Sequence, residues 1–74
     1  MIVTLAHLHS IPSRRGAGWC NRGARAWFAR HGLDWSAFVR EGIDADTLLA
    51  TGCGMARQLV DWARQCEAEG AAHG

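Results

Sequence analysis

Punctuation constrains this chain more than any other feature. The one proline is Pro12, and Gly32, Gly42 and Gly52 each follow an apolar run at helical spacing. Glycine closes helices in the left-handed conformation, and the residue before a proline leaves the helical region. Asp34 and Asp44 follow the first two of these glycines at a distance suited to capping the next helix. The chain is thereby cut into short helices with little linker between them. The expected fold is all-α: a compact bundle of four to five short helices joined by tight Gly/Asp turns, with steep crossings forced by short loops. Residues 1–74 read as a single helical domain, with 69–74 as a frayed tail.

Within that frame each segment has a reading. Thr4 caps a short helix "LAHLHS" that ends before Pro12, and "SRRGAGW" follows as an exposed loop. The second helix spans about Trp19 to His31. Trp19, Gly23 and Trp27 form one row, and Cys20, Ala24 and Phe28 the next. Asn21, Arg22, Arg25 and Arg30 point elsewhere, so the rings read as core rather than as a platform for stacking bases. Gly32 closes this helix, with Leu33 as the hydrophobic residue beyond. Asp34 starts "WSAFVRE", with Trp35, Phe38 and Val39 inward. Asp44 starts "ADTLLAT", with Leu48 and Leu49 inward and Ile43 placed as a hydrophobic staple to Leu48. The last helix runs from about Gly54 to Glu69. Its stripe is Met55, Leu59, Trp62 and Cys66, flanked by Ala56, Val60 and Ala63.

A chain of 74 residues buries only about 60% of its unfolded surface, so the core must be well chosen. Four tryptophans supply large buried areas, and 49% hydrophobic with 20% charged residues excludes a disordered chain. "MIVTLAHLHS" lacks a basic leader region and no apolar run is long enough for a bilayer. The expected location is the cytoplasm, with no membrane partner. Cys20, Cys53 and Cys66 are odd in number and widely spaced, which suits buried thiols rather than a disulfide framework.

Charge is split along the chain. Residues 1–33 hold Arg14, Arg15, Arg22, Arg25 and Arg30 and no acid; residues 34–74 hold seven acids against three arginines, and the whole is +1. Lysine is absent. The layout permits a basic face, an acidic face or an internal match between halves.

The residues offer few routes to catalysis. No Cys-x-x-Cys or His-x-x-x-His spacing would hold a metal, and no cofactor motif is present. Cys53, between Gly52 and Gly54, is the best nucleophile, at an expected helix start where a thiolate is favoured; the plainer reading is a small residue at a tight junction. The expectation is no enzyme, no catalytic residue, no metal and no cofactor. Arg14, Arg15, Arg22 and Arg25 could contact phosphates, but a pI near 7.8 and seven carboxylates argue against direct nucleic-acid binding. Glu41, Asp44 and Asp46 cluster around one turn, with Asp34 expected close by. Carboxylates held by rigid caps can imitate phosphate spacing and bind an arginine-rich protein. Their plainer role is capping and solvation.

The segment "CNRGARAWFARHGLDWSAFVREGIDADTLLATG", residues 20–52, resembles small proteins encoded by phages and prophages of GC-rich proteobacteria. "RGARAWFARHGLDW" and "LLATG" carry the likeness. Cys53 stands where an acidic residue is expected after "ATG", which puts the cap of the last helix in doubt. Size, phage-like sequence and acidic second half together resemble an anti-CRISPR protein, specifically an inhibitor of the type I-C interference complex. That resemblance implies a monomeric, non-catalytic protein blocker acting as a DNA mimic. It would occupy the groove of the large subunit that reads the short motif beside the DNA target. The contact residues expected on this view are Glu41, Asp44 and Asp46, with Asp34, Glu67 and Glu69 as secondary ones. The alternatives are a phage nucleic-acid-binding or regulatory protein using Arg14, Arg15, Arg22 and Arg25, and a virion assembly or accessory protein acting through oligomerisation.

Overall fold

Among the described residues, 1–13 and 16–73 of a computed structural model, five helices form with two short strand pairs, one local and one joining distant parts of the chain. The helices are α1 (Leu5–Ser10), α2 (Asn21–Arg30), α3 (Trp35–Glu41), α4 (Ala45–Leu49) and α5 (Gly54–His73). Strand β1 (Ile2–Val3) pairs antiparallel with β4 (Ile43–Asp44), and β2 (Pro12–Ser13) with β3 (Gly16–Ala17). The fold is therefore mostly helical and not purely α, which corrects the all-α expectation. Two-residue strands are too short to display the alternation by which a sequence announces a sheet. The segment expected as a loop supplies arms of the β2–β3 pair; Arg14 and Arg15, between those arms, lie outside the described residues.

Helix starts and stops have local causes. His7 Nδ1 accepts from the Thr4 N–H at 2.9 Å, taking the role of Glu or Gln in a capping box. Asp34 Oδ1 accepts from the Ala37 N–H at 3.0 Å, and Asp44 Oδ1 from the Asp46 N–H at 2.8 Å. Helix α2 closes on Gly32 at φ +67°, and the Leu33 N–H reaches back to the Phe28 carbonyl at 2.8 Å. It opens at Asn21 with Cys20 as cap residue, later than the expected Trp19. Trp19 instead packs against the core from the approach to α2, held by its N–H to the Leu8 carbonyl at 3.0 Å.

Gly42 is a tight junction. It sits at φ +81° between α3 and β4, and a Cβ there would meet Ile2 Cγ2 at 2.5 Å and the Val3 carbonyl oxygen at 2.7 Å. The N-terminal strand can cross this turn only because residue 42 has no side chain. The register Ile2↔Asp44 and Val3↔Ile43 sets Val3, fully buried, and Ile43 towards the core. Ile2 and Asp44 lie on the opposite, exposed side, as the two-residue period requires.

The core draws Val3, Leu8 and Ile11 from the N-terminal segment, Trp27 and Phe28 from α2, and Phe38 and Leu48 from α3 and α4. Phe28 anchors the rings, edge-on to Trp35 at 5.3 Å and tilted against Phe38 at 4.8 Å. Trp27 and Phe28 are thus core, as their spacing implies. Val39, Leu49 and Met55 are not: they lie 43%, 38% and 44% exposed, against the inward expectation. Helices α3 and α4 have two turns or fewer, and each turn offers little more than one inward position. On α5 the buried line is Ala56, Leu59, Val60 and Ala63, with Trp62 and Cys66 half-buried. The small residues expected as flanks form the centre because they let α5 approach α4 and α1 closely. The Trp62 Nε1–H donates to Ser10 Oγ at 3.0 Å and joins α5 to α1. Helix α5 continues to His73, into the segment expected as a tail.

Candidate partner-binding site

Three acidic residues fall within the six positions 41–46 that form the α3–β4–α4 corner. Glu41 ends α3, Asp44 lies in β4, and Asp46 opens the first turn of α4; all are exposed. The Asp44 carboxylate is oriented by its bond from the Asp46 backbone N–H. No described arginine forms an ion pair with any of the three. The nearest in sequence, Arg40, turns its Nε–H to the Ser36 carbonyl at 3.3 Å instead. The corner therefore presents uncompensated negative charge on a backbone fixed by Gly42 and by the strand pair.

The other expected acids are elsewhere. Asp34 caps the opposite end of α3, about 10 Å from Glu41 along the helix axis, which corrects the expectation that it joins the cluster. Glu67 and Glu69 are exposed on α5, beyond its last buried residue, Ala63. Glu41, Asp44 and Asp46 thus share one turn, and Asp34, Glu67 and Glu69 lie on other parts of the chain. Arg22 and Arg25 stand exposed one turn apart on α2. Their expected companions Arg14 and Arg15 are outside the described residues.

Cys53 occupies a second notable position. Its carbonyl accepts from the Arg57 N–H at 3.3 Å, so it is the cap residue of α5, where the sequence comparison led us to expect an acid. Its sulfur accepts the Trp27 Nε1–H at 3.3 Å. This indole bond lowers the thiol pKa below the ordinary 9.0, and the Met55 N–H of the helix start acts in the same sense. Burial opposes both; the Ala56 N–H and the Arg30 charge add smaller lowering effects. The three cysteines form no disulfide, and Cys20 is exposed while Cys53 and Cys66 are half-buried, which corrects the expectation of fully buried thiols.

Ligand space is limited. An apolar void of about 20 Å³ lies under Trp27 and Leu59, room for one water and no polar partner to hold it. An open groove runs past Leu49, Cys53, Arg57 and Arg64. Among the described residues no group of three His, Cys, Asp or Glu side chains is arranged to hold a metal ion, and no helix is long and apolar enough to cross a membrane.

Sequence reasoning did not foresee the strand Ile2–Val3 that pairs across this corner. The signal available was the β-branched pair Ile2–Val3, too short to be read as a strand. No family model, no curated protein and no solved structure matches this chain.

Proposed function

We propose that this chain is a non-catalytic binding protein that engages a basic, nucleic-acid-handling protein through Glu41, Asp44 and Asp46. The observation that supports the reading is three exposed acidic residues within one six-residue turn, unpaired with any described arginine. Uncompensated carboxylates of fixed spacing complement arginines that otherwise hold phosphates. The phage-like segment 20–52 directs the choice of partner to the type I-C interference complex. The target there is the large subunit that reads the motif beside the DNA target. Occupying that groove would stop target search at its first step, before duplex opening.

The test is duplex binding by a purified type I-C surveillance complex, with and without the protein in modest excess. Loss of binding is expected, with no shift of the duplex by the protein alone. The double variant Asp44→Asn with Asp46→Asn should restore binding, because asparagine keeps the cap at residue 44 and removes both charges. A complex that binds duplex equally well in both arms sinks the groove-blocking reading. If the protein alone shifts the duplex, and the shift weakens steeply with salt, Arg22 and Arg25 are the functional side.

A further inference from the structure

The acidic corner has an aliphatic centre. Ile2 is 49% exposed and Met1 38% exposed, at the very strand that crosses the corner. Ile2 faces Asp44 across the β1–β4 pair, and its Cγ2 lies where a side chain on Gly42 would be. Glu41 precedes that glycine, and Asp46 is bonded to Asp44. Val39, also exposed, lies one helical turn before Gly42. An isoleucine side chain is thus left half in water beside Asp44 and over Gly42, although the core is close by and takes its neighbour Val3 completely.

We infer that this face docks a protein segment in which an apolar side chain is flanked by arginine or lysine. The inference rests on the acidic-corner reading above and deepens it by naming the partner's chemistry. An apolar centre inside a charged rim is the layout of a protein–protein contact. Charge complementarity sets the sign of the partner's rim, and the exposed Ile2 and Met1 call for an apolar group between those charges. A phosphate backbone satisfies neither condition, since the rim repels it and the centre gives it no hydrogen bond. A second copy of this chain would set carboxylates against carboxylates if the same face were used twice.

Amide shift mapping by NMR tests this without any interference complex. Two short synthetic peptides serve as probes, one with a leucine between arginines and one with that leucine replaced by alanine. Shifts should appear at Ile2, Gly42, Asp44 and Asp46, and the alanine peptide should bind about fivefold more weakly, from the apolar area it no longer buries. Ile2→Ser should abolish the difference between the peptides while leaving the spectrum dispersed, because Ile2 is outside the core. Equal affinity for both peptides, no shift with either, or the same shifts on concentrating the protein alone would overturn the inference. Equal affinity would leave the carboxylate reading standing. Failure of the interference complex to respond would overturn that partner and not this face.

Discussion

Gly42 and Gly23 show how one residue type carries opposite consequences. Gly42 sits at positive φ with Ile2 and Val3 against the place of its missing Cβ, whereas a Cβ at Gly23 meets nothing within 4 Å. Gly42→Ala should destabilise by more than about 1 kcal/mol, and Gly23→Ala, inside α2, should stabilise by about 0.5–1 kcal/mol. Thermal melts of the two variants should move in opposite directions from the parent. Cys53 supplies a prediction in pH. Its thiol is acidified chiefly by the Trp27 indole and then by the Met55 N–H. Alkylation by iodoacetamide should follow a profile with its midpoint below 9.0, and Trp27→Phe should move that midpoint upward. The linked stability has a definite sign. A folded pKa below the unfolded one favours folding where the thiolate forms, so this contribution is fully present above the unfolded value near 9.0. It fades as pH falls through the lowered folded value. Denaturation midpoints of the parent against Cys53→Ala across that window would reveal it.

The short helices depend on their caps because they have few other interactions. Helix α3 has seven residues and α4 five, well below the length at which a helix is stable alone. Asp34→Ala removes the acceptor for the Ala37 N–H and should cost about 1 kcal/mol, while Asp34→Ser should retain most of the stability. Chemical denaturation of both variants separates the cap from the charge. The same reasoning limits how Asp44 can be tested. A lysine there would remove a cap together with a charge, so loss of binding would be ambiguous, and asparagine is the informative change. Helix starts and stops were legible in the sequence at this scale because each is decided within a few residues: His7 back to Thr4, Asp34 forward to Ala37, Gly32 at the end of α2. The strand pairs were not, because β1 and β4 are separated by most of three helices and each is two residues long.

At the scale of the molecule, one ring cluster joins the halves. Phe28 is buried and touches Trp27, Trp35 and Phe38. Phe28→Ala should cost about 3–5 kcal/mol, a large part of the total stability of a domain this small, and near-ultraviolet dichroism should report loss of ring packing at ambient temperature. The charge split between the halves does not resolve into ion pairs among the described residues. By itself the sequence determined where α1, α3 and α4 begin and where α2 ends, and that Trp27, Phe28, Phe38 and Leu48 are core, since these follow from interactions between residues close in the chain. Tertiary structure alone decided that Ile2 lies over Gly42 beside Asp44, that Asp34 stands apart, that Val39, Leu49 and Met55 face water, and that Trp27 reaches Cys53. Each of those depends on which element packs beside which. Helical spacing says which side chains share a face, but only the packed neighbour decides which of those faces is covered.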